Sequence, residues 1–209
     1  MKPPHNLRTA VRHLKAVDPV LADIIARVGP CRWELRPTAG IFESLLQSII
    51  YQQLHAKAAG NIHGRVLALM PGGLPEPGAF LLITEAAMRG AGLSRGKLAA
   101  IRDLATKAID GTIPSIEEAH TMPDEELIER LTSVRGIGPW TVHMLLIFRL
   151  GRPDVLPTGD FAVRKAFQIA WRKRKEPKPE ALEKHARAWQ PWRSVASWYL
   201  WRSLDGPAA

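Results

Sequence analysis

The chain has 209 residues, enough for one well-cored domain or two small lobes. Lys and Arg total 29 against 20 Asp and Glu, a formal net charge of +9 with a pI near 10.1; this excess favours a polyanionic partner, nucleic acid first and an anionic membrane second, and says nothing about fold. A single cysteine, Cys31, excludes an internal disulfide framework and a four-cysteine zinc or iron–sulfur site.

No apolar run reaches the ~18 residues that a membrane span requires. The opening stretch to Gly29 is basic but has no continuous apolar core, so it makes a poor secretory signal. A cytoplasmic, reducing setting without membrane attachment is the expectation.

Almost every segment has helical period. Over 17–28, Val20, Leu21, Ile24, Ile25 and Val28 share one stripe behind Pro19 in the first turn. Over 40–59, Ile41, Leu45, Leu46, Ile49 and Ile50 do the same, and the pattern runs on through 61–70. The turn-rich MPGGLPEPG at 70–78 is a break. Two further helices are predicted over 79–89 and 96–109, with a loop at 110–114 after them. Helices over 122–134, 139–150, 160–172, 179–189 and 193–204 complete the set. Strand alternation is missing, and DVLP at 154–157 is short and ends in proline. RKRKEPKPE at 172–180 reads as a solvated linker. The fold class expected is all-α, with about ten helices and short connections.

The most informative stretch is TSVRGIGPWTVH at 132–143. The preceding helix carries Asp124, Glu125 and Glu126 in its first turn, where acidic side chains suit the helix dipole, and Gly136 ends it. Gly138 is expected to supply a conformation and a closeness of approach that a side chain would block. Pro139 fits the first position of the next helix, which runs to Gly151 as a C′ residue. Two short helices joined this way aim the backbone amides of Arg135, Gly136, Ile137 and Gly138 in one direction, an arrangement that binds a phosphate without reading a base. Alone, the pattern is more often a structural αα-turn.

Further stretches give it context. PDVLPTGDFAVRKAF at 153–167 follows the hairpin and contains Asp160; IFESLLQSIIYQQLHAKAAGNI (41–62), AGLSRGKLAAIRDLA (91–105) and WQPWRSVASWYLWR (189–202) stand in the same order as in one group of proteins. Together they resemble the helix-hairpin-helix DNA glycosylase superfamily, and within it the DNA-3-methyladenine glycosylase II family. The resemblance covers most of residues 40–202 and implies a two-lobed all-α fold, one lobe at 41–152 and the other combining 1–40 with 153–209, with the flipped base received in the cleft between them. Because the match begins at Ile41, no N-terminal β-domain is expected.

By local sequence Asp160 is a helix N-cap. The resemblance makes it the catalytic carboxylate, which would stabilise an oxocarbenium-like sugar and orient water. Many relatives have a second acid before it; here the residue is Gly159. Trp140 stands where glycosylase/lyases carry the Schiff-base lysine, which implies a monofunctional hydrolase. The resemblance assigns Trp140 and Trp201 to the base pocket, where electron-rich rings attract a cationic alkylated purine. Met144 stands where the family's tyrosine lies. Gln52, Gln53, Leu54 and His55 match the segment that enters the gap left by the flipped nucleotide, with Gln53 as the plug and His55 in the minor groove. Lys57, Arg95, Lys97, Arg135, Arg164 and Lys165 are phosphate candidates, Arg164 alternatively forming an ion pair with Asp160 one turn away. No cofactor is required, but the family's hairpin carbonyls, here of Val134 and Ile137, commonly hold K⁺ or Na⁺.

The implied partner is double-stranded DNA containing alkylated bases, 3-methyladenine and 7-methylguanine first, with ethenoadenine, hypoxanthine, 1-methyladenine and 3-methylcytosine left open. A monomer is expected, since no coiled-coil heptads are evident. Two other readings stand beside this one. A bifunctional glycosylase/lyase is opposed by Trp140. A non-catalytic helix-hairpin-helix DNA-binding module explains the charge and the hairpin but not Asp160 or YQQLH.

Overall fold

Side-chain caps mark where many of the helices start. Asn6, Asp18, Thr84, Ser94, Ser115 and Asp160 each accept a hydrogen bond from a backbone N–H of the first turn that follows, satisfying donors a helix cannot pair internally. The computed structural model describes residues 3–205. Among them are thirteen α-helices, two short 3₁₀ turns and no strand, so the all-α reading holds. No helix among the described residues is long and apolar enough to cross a membrane.

The helix count exceeds the expected number of about ten for four local reasons. First, α1 (Leu7–Val17) precedes α2 (Pro19–Val28); its buried face is only Ala10 and Leu14, and its basic character hid it. Second, the helix expected over 79–89 is two, α5 (Pro77–Leu82) and α6 (Glu85–Gly90), because Thr84 is extended and caps α6. Third, α8 (Ile116–Thr121) forms on a capping box between Ser115 and Glu118. Fourth, the helix expected over 40–59 breaks into α3 (Ile41–Tyr51) and α4 (Ala56–Leu67). At the break Gln53 has φ 57°, a left-handed conformation that ends any helix.

The remaining helices are α7 (Arg95–Ile109), α9 (Asp124–Thr132), α10 (Pro139–Phe148), α11 (Phe161–Ala170), α12 (Pro179–Ala186) and α13 (Arg193–Ser203). The chain divides into two compact units, one from Thr38 to Val142, the other formed by the residues up to Pro37 together with those from His143 onward. In the first unit α7 packs on α3, α5 and α6. Its buried Leu98, Ile101 and Leu104 meet a core supplied by Leu45, Leu46, Ile49 and Ile50 of α3 and Phe80 of α5. In the second unit α13 packs on α1, α2 and α11. Ser194, Ala196, Ser197, Tyr199 and Leu200 are all buried, so α13 is enclosed on more than one face. Asp18, 5% exposed, ties this unit together. Its Oδ1 caps α2, and its Oδ2 accepts from Nε2 of His185 at 2.8 Å and Nε1 of Trp189 at 2.9 Å.

Candidate active site

Asp160 is held from three directions, all within the second unit. Its Oδ1 accepts the backbone N–H of Val163 at 2.8 Å, the N-cap bond of α11. The same oxygen accepts the indole N–H of Trp201, from α13, at 3.0 Å. Its backbone N–H donates to Pro157 at 2.9 Å. The residue is 8% exposed, so the carboxylate is largely withdrawn from water, with two donors on Oδ1. Such a group is a fixed negative charge, the kind that stabilises a developing cation without reorganising. The N-cap and the functional reading of Asp160 therefore describe one side chain.

The segment leading to Asp160 is clamped by the start of α13. Arg193 grips Asp154 through Nε to Oδ1 at 2.7 Å and Nη2 to Oδ2 at 2.9 Å, a two-pronged ion pair. The hydroxyl of Ser194, fully buried, donates to the Arg152 carbonyl at 2.6 Å and accepts the Val155 N–H at 2.9 Å. So α13 fixes the approach to the carboxylate at its N-terminal end and the carboxylate itself near its C-terminal end. Asp154, Arg193 and Ser194 were not singled out from sequence, because neither their spacing nor their type announces a long-range clamp. Trp201, read as a pocket wall, is also a hydrogen-bond donor to Asp160; its ring lies 5.5 Å from that of Phe148, at 34°.

The hairpin and the segment at 52–55 belong to the first unit and are joined. Gly136 has φ 78° and turns the chain after α9, while the buried Val134 and Ile137 anchor the turn, the Ile137 N–H reaching the Val134 carbonyl at 3.0 Å. Gly138 has no positive φ, and a Cβ there would meet nothing within 4 Å. The left-handed position is thus Gly136 rather than Gly138, and Gly138 leaves open space over the turn. Gln52 donates from Nε2 to the Gly136 carbonyl at 2.8 Å. Lys97 donates to the carbonyls of Ile50 at 2.6 Å and Gln52 at 2.9 Å, where α3 ends. Burial lowers the Lys97 ammonium below its ordinary range. Asp103 accepts the Arg135 N–H at 2.7 Å and pairs with Lys107, which also reaches the Ser133 carbonyl. Helix α7 therefore braces both loops.

The other residues singled out from sequence lie as follows. Gln53, Leu54 and His55 are exposed, Leu54 to 40%. Trp140, in the first turn of α10, is 51% exposed, and Met144 is half-buried. Lys57, Arg95 and Arg135 are exposed. Arg164 pairs with Glu176 at 2.8 Å, not with Asp160, and Lys165 reaches Gln168 Oε1 at 3.1 Å. Cys31 is no competing nucleophile, since burial pushes its thiol up to about 11.

Residues 46–191 match the model of a protein family described as HhH-GPD superfamily base excision DNA repair protein. The chain belongs to this superfamily. It is 36% identical over 204 residues to DNA-3-methyladenine glycosylase 1 of Schizosaccharomyces pombe, covering 95% of this chain and 88% of that one. Among solved structures it resembles the S. pombe 3-methyladenine DNA glycosylase in complex with abasic DNA (TM-score 0.75, 37% identity, 92% of this chain and 95% of the other). It likewise resembles a DNA-3-methyladenine glycosidase from Bacillus halodurans (TM-score 0.83, 34% identity, 92% and 87%).

Proposed function

We propose that the protein is a monofunctional DNA glycosylase that hydrolyses the N-glycosidic bond of alkylated purines, 3-methyladenine and 7-methylguanine first, and leaves an abasic site. The observation that carries this reading is the buried Asp160 carboxylate, held by Val163 and Trp201 on a clamped segment. An N3- or N7-alkylated purine already bears positive charge and leaves readily, so little acid catalysis is needed. As the bond lengthens, positive charge grows on the sugar; a fixed carboxylate stabilises it and orients the attacking water. Trp140, half-exposed on α10, offers an aromatic face to a cationic base. It cannot form a Schiff base, which supports hydrolysis without strand cleavage.

DNA binding in this reading is largely electrostatic and falls steeply with salt. The amides of Gly136 and Gly138 and the open space over Gly138 receive a phosphate; those expected to join them, of Arg135 and Ile137, are given instead to Asp103 and the Val134 carbonyl. A monovalent cation on the Val134 and Ile137 carbonyls belongs to the same proposal. These residues follow the C-terminal end of α9, where the dipole is negative, and the Val134 carbonyl keeps a lone pair beyond the one given to Ile137. The exposed Gln53 and Leu54 enter the gap left by the flipped nucleotide, and His55 meets the minor groove. The protein acts as a monomer.

Chromatography of bases freed from methylated duplex DNA tests the reading. Release of methylpurines, with no covalent adduct on borohydride treatment with abasic DNA, is the expected result. An adduct would establish a lyase step instead.

A further inference from the structure

A basic groove lies outside the site residues described above. This groove, of about 1310 Å³, lies wholly within the second unit, between one face of α1 and the segment that follows α2. Arg8, Arg12 and Lys15 line it at i, i+4 and i+7, so they stand in one row along α1. Arg32 lines it from the segment after α2. All four are exposed, and none has an ion-pair or hydrogen-bond partner for its charged group among the described residues. That sets them apart from Lys97, Arg164 and Arg193, whose charges are spent on carbonyls and carboxylates inside the protein. Glu34 is the single acid lining the groove, so four cations stand against one carboxylate.

We propose that this groove is a second, lesion-independent binding site for the phosphodiester backbone of DNA. The proposal rests on the preceding reading only in taking DNA as the polyanion. The volume exceeds the roughly 300–1,000 Å³ of ordinary small-molecule pockets, which suits an extended ligand. From Arg8 to Lys15 the helix rises about 10 Å, the axial span of about three phosphates of one strand. Guanidinium forks match phosphate oxygens in pairs, and the groove presents three of them. Its apolar lining of Val11, Ile25 and Trp33 offers nothing that would repel a sugar edge.

The test uses the full chain and undamaged duplex DNA. Binding is measured by fluorescence anisotropy across a salt series for three proteins: wild type, the triple variant Arg8→Gln/Arg12→Gln/Lys15→Gln, and Arg32→Gln. The slope of log affinity against log salt is expected to fall by about 0.9 per lost phosphate contact, hence by about 2 to 3 in the triple variant and about 1 in Arg32→Gln. Base release from alkylated duplex at saturating enzyme should stay at the wild-type rate. Unchanged slopes in both variants would overturn the proposal, as would unchanged slopes combined with weaker binding to vesicles rich in phosphatidylserine, which would assign the groove to lipid. The two variants lie on separate segments, so a folding defect in one leaves the other informative. Because the readout uses undamaged DNA, it is independent of whether wild type releases any base.

Discussion

The indole N–H of Trp201 donates to Asp160 Oδ1 at 3.0 Å, so the aromatic residue nearest the end of α13 is a positioning group for the carboxylate. Trp201→Phe removes the donor and keeps most of the ring. A hydrogen bond to a charged acceptor is worth about 1.5–3 kcal/mol, which predicts a roughly ten- to hundredfold fall in the single-turnover rate of base release. Affinity for abasic duplex DNA should change little. A rate equal to wild type would show that the bond does not matter to the chemistry.

The two hairpin glycines should separate cleanly. Gly136 has φ 78°, so Gly136→Ala carries a left-handed penalty of about 1–2 kcal/mol and lowers both thermal stability and DNA affinity. Gly138→Ala meets no protein atom within 4 Å. It should unfold with wild type yet bind DNA more weakly, because its methyl group fills the space over the turn. Thermal unfolding and anisotropy on both variants check this; equal DNA affinity for Gly138→Ala and wild type would remove the phosphate from that position.

Lys97 and Gln52 should behave as mounts for the loop at 52–55. Lys97→Met keeps the apolar stem and loses both bonds to the Ile50 and Gln52 carbonyls. The expected result is a melting temperature lower by roughly 3–6 °C, with weaker binding to abasic duplex. Gln52→Ala breaks the tie to the Gly136 carbonyl. It should leave the melting temperature close to wild type and still weaken abasic-DNA binding. If neither variant alters binding, the loop does not depend on its mounts.

Acid should destabilise the fold before the carboxylates titrate. Burial lowers both His63 and His143 below the ordinary 6.5, Glu43 partly opposing this for His63. In the unfolded chain each takes up a proton near pH 6.5, in the folded protein only at lower pH. The unfolded state therefore binds more protons in that window, and stability is lost as pH falls below 6.5. The unfolding midpoint should drop between pH 7.5 and 5.5, and drop less in His143→Gln. Equal drops would assign the pH dependence to other groups.

Where a helix is amphipathic and bounded by a side-chain cap, the sequence was enough: α7 behind Ser94 and α11 behind Asp160 start within about one residue of expectation. Legibility failed where a local device overrode the stripe. Thr84 splits one expected helix because its cap bond competes with continuation, and after α3 Gln52 leaves the helical conformation and Gln53 turns left-handed, a break that no apolar pattern encodes. Asp160 was legible as the N-cap of α11 from its place before an apolar-periodic run. Its fixation was not, because Trp201, Arg193 and Asp154 act across long stretches of chain, and periodicity reports only neighbours along a helix. Lys97 looked like a phosphate contact because its charge is visible in sequence and its carbonyl partners are not.

The most direct measurement is single-turnover base release from methylated duplex DNA by wild type and Asp160→Asn, with abasic-DNA affinity measured in parallel. Asparagine keeps the oxygen that caps α11 and receives Trp201, so fold and binding should persist. Wild type should free methylpurines, and the variant should be slower by at least about 100-fold, the scale of losing a preorganised charge. Equal rates in the two proteins, or no release by wild type while DNA binding is intact, would contradict the assignment of Asp160 as the catalytic carboxylate.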